Sequence, residues 1–397
     1  MRSTMNGMAV LACIAALSGL GLSLVLVLVL VLVACGGEAP PPLPPPAPPP
    51  VVATEPATPP PADTTPPPPA KPTLMQLIPQ TMKGVTDAFN AHDSKKVASY
   101  YTPDAVIASY GAPGGHGPDD IAKAMDLFVF ATFADAKEAP VRAWAKDNVL
   151  VIEMAWAGTM TGDFMGMKAT KKPVGQIRLG VLWFNDDGLV KEQHEYGDDA
   201  GLMAQMSGKK GAPAVPVLPT NVPEVHLAKA TPDEDKLIEM AKAMDPLFSK
   251  DDAKAVAAGT ADDADYWVNI SGGPAMKGKK DIAKDLDNFF KAFPDQKWTT
   301  VNAWGIDGFA IVEHTMTGTQ KGALGPLRAS NKEVRDWHWV DIVQPSADGK
   351  VQHGWGYANL LEMMQQTGAI KPPPSAKGPA SGAPAAAAVA PKPAPQK

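Results

Sequence analysis

The amino-acid sequence predicts an α+β protein that carries one small domain twice. The first observation is a repeat, because short motifs recur later in the chain at an offset of 160 or 161 residues. The second is that each copy opens with helical periodicity and closes with alternating, strand-like periodicity. The third is that apolar and proline-rich segments lie outside the two copies, so they leave the predicted cores uninterrupted.

The repeat sets the domain boundaries. The recurring motifs are Asp-Ile-Ala-Lys (120–123 and 281–284), Ala-Trp (143–144 and 303–304), Gly-Thr-x-x-Gly (158–162 and 318–322) and Asp-Gly (187–188 and 348–349). Chance does not hold register over such a distance, so the chain contains duplicated domains. We place them at residues 74–208 and 232–370, with a proline-containing linker at 209–231.

Helices are predicted in the first part of each copy. In the second copy, Thr231, Pro232 and Glu234 form the sequence pattern of a capping box with proline at the first helical position. A second short helix is expected over Asp252–Ala258, and apolar residues from Ile282 to Phe293 mark a third. Each copy ends with a short helix, near Leu202–Met206 and Leu360–Gln366.

Strands follow the helices. In the first copy they are predicted at Val141–Lys146, Val149–Thr159, Gln176–Asn185 and Leu189–Tyr196. The Asp-Gly pairs are hairpin-turn signals. Helices followed by a meander of strands indicate an α+β domain in which three helices cover one face of an antiparallel sheet.

The N-terminal segment predicts export and anchoring. Arg2 precedes a long apolar run that ends in Leu32-Val33-Ala34-Cys35, which matches the lipobox of bacterial lipoproteins. We therefore expect a signal peptide at 1–34 and a lipid on Cys35, which binds the chain to the membrane at the cell envelope, outside the cytoplasm. Gly36 favours the outer membrane, if the source has one. The alternative is an uncleaved transmembrane helix.

The segments on either side of the domains are predicted to lack a core. Residues 35–73 form a proline-rich disordered tether, and residues 371–397 form a disordered tail rich in proline and alanine. The two cysteines, Cys13 and Cys35, both lie in the apolar segment, so the domains contain no disulfide or cysteine–zinc site. A net charge of −6 argues against nucleic acid as a partner. We predict no metal site and no cofactor.

The two copies resemble the SnoaL-like polyketide cyclase (ester cyclase) family of the nuclear-transport-factor-2-like superfamily. The resemblance rests on Ala88–Asp93, on Phe293-Pro294-Asp295, on the Gly-Thr-x-x-Gly pairs, and on a closing tyrosine, aspartate or asparagine, and glutamine. It implies a cone-shaped domain with a pocket inside. It also implies pairing through the sheets, so the two copies are expected to form an intramolecular pseudo-dimer.

The last strand of each copy carries the candidate site. Alternation places Glu192, His194, Tyr196 and Asp198 on one face in the first copy. Their counterparts in the second copy are His353, Trp355, Tyr357 and Asn359. If this face lines the pocket, the first copy presents a histidine and a carboxylate suited to general acid–base chemistry. By the resemblance, Asp198 matches the family's acid–base aspartate, and His194 is the candidate substitute for the family's histidine.

Two departures from the family pattern weaken the prediction of an enzyme. The family's Gly-Thr-His has Met160 in the first copy and Gln320 in the second, and Asn359 replaces the aspartate in the second copy. We expect Met160 and Gln320 to lie at the ligand pocket. His194 and Asp198 are alternatively ordinary polar residues at the end of a strand.

Two further sets of residues leave alternatives open. Glu153 and Glu313 lie within apolar strands and are either pocket groups with a raised pKa or residues of a solvated sheet face. Trp337, Trp339 and Asp341 share one strand face, where the first copy has Gln176, Arg178 and Gly180. Those aromatic residues suit either a pocket wall or a domain interface.

The leading hypothesis is an envelope lipoprotein that binds a small, largely apolar ligand through these domains without efficient catalysis. The first alternative is a cyclase-like isomerase or hydrolase acting in the first domain. The second alternative is a structural or partner-binding envelope module.

Overall fold

The computed structural model describes residues 72–110, 114–271 and 273–370. The predictions for Cys35, the tether and the C-terminal tail lie outside these residues. Within them, no helix is long and apolar enough to cross a membrane.

The first domain has four helices and six strands, and a seventh strand follows in the segment between the domains. The helices are α1 (Leu74–Asn90), α2 (Ser94–Ala98), α3 (Gly117–Ala124) and α4 (Asp199–Ser207). The strands are β1 (Tyr101–Ser109), β2 (Gly115–His116), β3 (Lys137–Lys146), β4 (Val149–Thr159), β5 (Pro173–Phe184), β6 (Val190–Tyr196) and β7 (Glu224–Leu227). Helix α3 continues into a π-helical segment, Met125–Phe130.

The second domain repeats the arrangement. Its helices are α5 (Pro232–Phe248), α6 (Ala253–Ala258), α7 (Gly278–Ala292) and α8 (Leu360–Thr367). Its strands are β8 (Thr260–Val268), β9 (Met276–Lys277), β10 (Lys297–Ile306), β11 (Phe309–Thr319), β12 (Glu333–Pro345) and β13 (Val351–Ala358). The predicted capping box at Thr231 is confirmed, and Thr73 forms the equivalent one before α1.

Each domain is built on one sheet, and the predicted α+β class is confirmed. The strand orders are β2-β1-β6-β5-β4-β3-β7 and β10-β11-β12-β13-β8-β9. The sheets are mixed rather than wholly antiparallel, because β1 runs parallel to β6 and β8 runs parallel to β13. The segment predicted as a linker also contributes structure, since β7 pairs in parallel with the edge strand β3.

Both faces of each sheet are buried. The concave face of the first sheet and its helices enclose one apolar core, which includes Phe89, Ile152 and Phe184. The convex faces of the two sheets share a second core, to which the first domain contributes Val151 and the second contributes Ile311. The two copies therefore contact each other through their sheets, and each domain has an interior that is separate from this interface.

Candidate functional site

The structure places the predicted residues of the last strand in the interface between the sheets. His194 Nδ1 lies 2.6 Å from Glu313 Oε1 of the second domain. The Tyr196 hydroxyl donates to the same oxygen at 2.5 Å. Asn302 Nδ2 donates to Glu313 Oε2 at 2.6 Å. His194 and Tyr196 thus bind a buried glutamate of the other domain and lie outside the cone of the first domain.

The opposite half of the interface repeats this pattern with one change. The Tyr357 hydroxyl donates to Glu153 of the first domain. Arg142 Nε and Nη2 donate to the two Glu153 oxygens at 2.5 and 2.7 Å. The Arg142 guanidinium also lies 4.0 Å from the ring centre of Trp355. Each buried glutamate therefore accepts a hydrogen bond from a tyrosine of the other domain and pairs with one basic side chain.

The two halves differ in which domain supplies the basic side chain. Arg142 belongs to the same domain as Glu153, whereas His194 reaches Glu313 across the interface. Burial disfavours the charged imidazole, but the hydrogen bonds that it donates to Glu192 and Glu313 outweigh this effect and raise the pKa of His194 to about 9. Burial likewise disfavours the Glu313 carboxylate, yet the bond to His194 lowers its pKa below the usual value.

The remaining predicted residues of these strands lie at the rim. Glu192 Oε1 is 3.0 Å from His194 Nε2. His353 Nδ1 is 3.2 Å from Asp265, and its side chain is 41% exposed. Glu192, His194 and Tyr196 lie on one face of β6, as alternation predicts, whereas Asp198 lies beyond the end of β6. Alternation did not distinguish the concave face from the convex face, because both are buried. Glu153 and Glu313 accordingly occupy neither a pocket nor a solvated face.

Asp198 and Asn359 occupy equivalent helix caps. Asp198 accepts from the Gly201 backbone N–H at 2.9 Å and caps α4. Asn359 accepts from the Leu361 N–H at 3.0 Å and caps α8. Burial raises the pKa of Asp198 to about 6. Asn359 also donates to Asp199 of the first domain at 2.8 Å, so these caps meet across the domains.

Met160 and Gln320 occupy matching positions just beyond β4 and β11. Both are buried. Met160 belongs to the interior core of the first domain. Gln320 Nε2 donates to the Arg328 carbonyl at 3.2 Å, which closes a local turn.

A polar strip crosses the concave face of the first sheet, and we define it by five residues. They are Glu138 on β3, Trp156 on β4, Gln176 and Arg178 on β5, and Glu195 on β6. Arg178 Nη2 lies 3.4 Å from Glu138 Oε2, and Nη1 lies 3.8 Å from Glu195 Oε1. Charged residues are rarely buried without such partners, so this strip is the strongest candidate site.

Glu138 has the ionisation behaviour of an acid–base group. Its side chain is buried, and burial raises its pKa to about 7, with Arg178 opposing and Glu195 adding to the rise. A carboxyl that titrates near neutral pH can both accept and release a proton. Glu138 was not predicted from the sequence. The alternation of β5 does place Gln176 and Arg178 on the face opposite the apolar interface residues, and Glu138 shares that face.

The positions of Glu138, Gln176 and Arg178 are occupied by tryptophans in the second domain. Trp298 and Trp337 both pair with Met316, just as Glu138 and Gln176 both pair with Trp156. Trp339 follows Trp337 at the position of Arg178. Its ring centre lies 4.8 Å from Trp337, 5.7 Å from Trp298 and 5.9 Å from Phe289. These rings fill the interior of the second domain where the first domain has hydrogen-bonding groups.

One charged network is buried beside those rings. His314 Nδ1 lies 2.7 Å from Asp245, and Nε2 lies 3.1 Å from Asp341. The Tyr266 hydroxyl donates to Asp341 at 2.7 Å. Because His314 is fully buried, this network stabilises the interior rather than facing a solute.

A separate groove of about 740 Å³ lies on the surface of the first domain, between α2 and α3. Its lining includes Lys95, Ala98, Ala122 and Leu127, and it contains none of the predicted site residues. Across the described part of the chain, no cluster of His, Cys, Asp and Glu has a geometry that could hold a metal ion.

Comparison with known proteins assigns both domains to one family. The family model for SnoaL-like polyketide cyclases matches residues 80–206 and 238–367, which together make up well over half of the chain. The chain therefore belongs to the SnoaL-like polyketide cyclase family and carries its domain in two tandem copies. No curated protein matches the chain.

Several solved structures are similar to part of the chain. A putative SnoaL-like polyketide cyclase from Jannaschia sp. CCS1 is 18% identical, covering 33% of this chain and 94% of its own, with a TM-score of 0.29. The putative polyketide cyclase IdmH from Streptomyces antibioticus is 21% identical, covering 32% and 97%, with a TM-score of 0.28. The putative hydroxylase AclR from Streptomyces galilaeus is 22% identical, covering 30% and 85%, with a TM-score of 0.27.

Proposed function

We propose that this protein is a membrane-anchored envelope lipoprotein whose first domain binds a small, largely apolar ligand. The second domain supports the first by covering its convex sheet face. The lipobox at Cys35 supports the anchor, and the proline-rich segment after it supports a spacer between membrane and domains.

The observation that carries this proposal is the contrast between the two interiors. The strip in the first domain offers hydrogen-bonding groups beside the apolar side chains of Met154 and Trp156. In the second domain, tryptophan rings occupy the same positions and contact one another. A ligand site typically combines an apolar wall with a few polar groups. The first interior carries such groups at the strip positions, whereas the polar groups of the second interior, His314, Asp245 and Asp341, pair with one another beside the rings.

The positions of His194 and Asp198, the catalytic residues predicted from the sequence, support binding rather than turnover. Both ring nitrogens of His194 face carboxylates, and Asp198 caps a helix. Neither residue belongs to the polar strip. A second function, acid–base catalysis in the first domain, is favoured by Glu138, because its pKa of about 7 suits proton transfer near neutral pH.

Native mass spectrometry tests the proposal directly. The chain from Gly36 to Lys397 is purified from its own host, so that a bound molecule is retained. We expect one small molecule per chain, lost in Arg178→Met and kept in the matched control Trp339→Phe, which alters the second interior. If the purified chain carries no bound small molecule, the result would contradict ligand binding and favour a structural or partner-binding module.

The same material separates binding from catalysis. Once the retained molecule is identified, it is incubated with the wild-type chain and with Glu138→Gln. An unchanged molecule in both samples supports a binding protein. Conversion by the wild-type chain that disappears in Glu138→Gln would establish the enzyme instead.

A further inference from the structure

The surface groove between α2 and α3 is a candidate site outside the interiors of both domains. Its volume of about 740 Å³ lies within the range of small-molecule sites. Small or apolar side chains make up much of its lining, among them Ala98, Ala122 and Leu127. The lining includes no residue of the polar strip. The groove is therefore separate from the cone interior, and its position at the surface lets a molecule reach it directly.

Four charged side chains line this groove, two of each sign. They are Lys95, Asp119, Lys123 and Asp126. All four residues are exposed. Among the described residues, none of these side chains has an ion-pair or hydrogen-bond partner. The groove thus offers two cationic and two anionic groups beside an apolar lining, and this charge pattern is complementary to a molecule that carries one charge of each sign.

The helix that forms one wall of the groove carries one residue more than its counterpart. Between the repeated Asp-Ile-Ala-Lys motif and the repeated phenylalanine, the first copy has nine residues, 124–132, and the second has eight, 285–292. The extra residue lies in the π-helical part, where the Ala131 N–H donates to the Asp126 carbonyl five residues earlier. Single π-helical turns inside α-helices are frequent at functional sites.

The extra residue coincides with exposed apolar side chains. No residue of the π-helical segment is buried, and Leu127 and Phe128 are 57% and 36% exposed. In the second copy, the aromatic residues near this point of α7 face inward, since Phe289 stacks on Trp337 and Phe290 is buried. The first domain therefore exposes to solvent, beside a charged groove, large apolar side chains of the kind that mark contact with a membrane or a partner.

The second copy does not keep the charge balance of the groove. Lys254 and Lys284 stand at the positions of Lys95 and Lys123, but Lys280 stands where the first copy has Asp119. These positions in the second domain therefore favour an anion, whereas the groove of the first domain favours a molecule with both charges. The two repeated lysines provide matched controls.

We propose that this groove binds the headgroup of a phospholipid that carries a phosphate and a primary ammonium, and so docks the first domain on a bilayer. The phosphate binds the two lysines, and the ammonium donates to the two aspartates. Leu127 and Phe128 contact the acyl chains at the membrane interface. This inference rests on the proposed function, because the lipid anchor at Cys35 keeps the domain near a membrane.

The anchor allows a weak contact to be occupied. Exposed ion pairs contribute little each, so the groove alone would bind a headgroup weakly. Burial of Leu127 and Phe128 adds a hydrophobic contribution. A tether to the same membrane turns docking into an intramolecular step with a high effective concentration. The net charge of −6 opposes a purely anionic surface, which also favours a zwitterionic headgroup.

Vesicle binding by the soluble chain tests docking without the anchor. The chain from Gly36 to Lys397 has no cysteine, so Leu127→Cys supplies a single site for the environment-sensitive dye NBD. Val225→Cys is the control, because Val225 is 51% exposed on β7. Each labelled chain is titrated with vesicles of phosphatidylcholine alone, or of phosphatidylcholine mixed equally with phosphatidylethanolamine or with phosphatidylglycerol.

We expect vesicles with phosphatidylethanolamine to shift the emission of the dye at position 127 to the blue and to leave the dye at position 225 unchanged. Binding to phosphatidylcholine alone should be about tenfold weaker, because its quaternary ammonium has no N–H to donate to the aspartates. Phosphatidylglycerol should not strengthen binding, because it lacks the ammonium and adds negative charge to the surface.

Variants of the groove test each charge in the background of Leu127→Cys. Lys95→Ala with Lys123→Ala should weaken binding about tenfold, because two ion pairs to the phosphate are lost. Lys254→Ala with Lys284→Ala should retain the affinity. In a chain with both groove aspartates changed to asparagine, the preference for phosphatidylethanolamine over phosphatidylcholine should disappear, a change that loss of folding would not produce.

Several results would overturn the proposal. They are an unshifted dye at position 127, an equal response at position 225, and tighter binding to phosphatidylglycerol than to phosphatidylethanolamine. Displacement by free phosphoethanolamine at the same headgroup concentration would also overturn it and indicate a soluble phosphoester as the ligand. The anchor is measured separately, by radioactive palmitate incorporation into wild type and into Cys35→Ala in the native host. Failure of docking and failure of the proposed anchoring are thus distinguishable.

Discussion

His194→Leu should destabilise the protein by breaking the charge pair between the two sheets. The side chain of His194 is 14% exposed, and that of Glu313 is 2% exposed. Leucine fills much of the same space, but it leaves the Glu313 carboxylate with only Tyr196 and Asn302 as hydrogen-bond donors. The substitution therefore tests whether an imidazolium neutralises that buried charge.

The magnitude follows from the ionisation of the imidazole. One pKa unit corresponds to about 1.4 kcal/mol. A pKa raised from 6.5 to about 9 then corresponds to about 3 kcal/mol of stabilisation at neutral pH. Removing one partner of a buried ion pair typically costs about 3–5 kcal/mol, so both arguments predict a loss of about 3 kcal/mol.

The sign of the pH dependence follows from the direction of each shift. Because the folded pKa of His194 is raised, its contribution is fully present below 6.5 and is lost as the pH rises through about 9. The pKa of Glu313 is lowered, so its contribution is present above the ordinary glutamate value and is lost on acidification. The difference between wild type and His194→Leu should therefore shrink between pH 7 and pH 10.

Urea unfolding of the chain from Gly36 to Lys397, followed by circular dichroism at several pH values, measures these differences. His353→Leu is the matched control, because its pair with Asp265 is at the surface and is worth at most about 1 kcal/mol. Adding Glu313→Gln to His194→Leu should recover part of the loss. The result that would refute the charge pair as a stabilising contact has two parts. His194→Leu alone costs less than about 1 kcal/mol, and its effect in the double variant simply adds to that of Glu313→Gln.

Two further substitutions test local structure. Asp198→Asn should raise the free energy of unfolding at neutral pH, because burial raises the pKa of Asp198 to about 6 and asparagine avoids burying the charge. Asparagine also keeps the helix cap, as Asn359 does in the second domain. A loss above about 1 kcal/mol on thermal unfolding would show that the carboxylate has another role. Gly162→Ala should cost about 1–3 kcal/mol, because its Cβ would lie 2.0 Å from the Ala131 carbonyl oxygen. Gly273→Ala, where nothing lies within 4 Å of the added Cβ, should leave urea unfolding unchanged. Equal effects at the two glycines would contradict this contact.

The regular elements were predictable where local patterns were strong. Strand β4 has the predicted bounds, and α6 begins one residue from its prediction. The repeated Gly-Thr-x-x-Gly motif has a structural cause. Thr159 N–H donates to Asp135 at 2.6 Å, and Thr319 N–H donates to Asp295 at 2.7 Å. Because both copies keep the threonine and the aspartate of this contact, the repeat could be found without a structure.

The missed elements depend on distant partners. Strand β1 contains Pro103 and Asp104 and lacks a clear apolar alternation, so its pairing with β6 is what makes it a strand. Strand β7 is only four residues long and forms against the edge of β3. In both cases the partner strand lies far away in sequence, and no local pattern of residues indicates the pairing.

The candidate site was misplaced for a related reason. Period-two alternation separates the two faces of a strand, but one face is recognisable as the pocket only if the other is polar. Here Val181 and Leu179 lie against the second domain, while Leu182 and Phe184 lie in the interior. Apolar residues thus lie on both faces of β5. Gln176 and Arg178 make one face partly polar, but alternation alone does not show which face encloses a ligand.

The burial of the convex faces also allows two copies of one fold to have different interiors. The interface core contains Val149 and Val151 of the first domain and Ile311 and Ile342 of the second, so these side chains would be exposed on a lone domain. The second domain covers the first through its convex face, and this contact does not involve the side chains inside its cone. Trp337 and Trp339 can therefore fill the second interior, where the first has Gln176 and Arg178, without changing the interface.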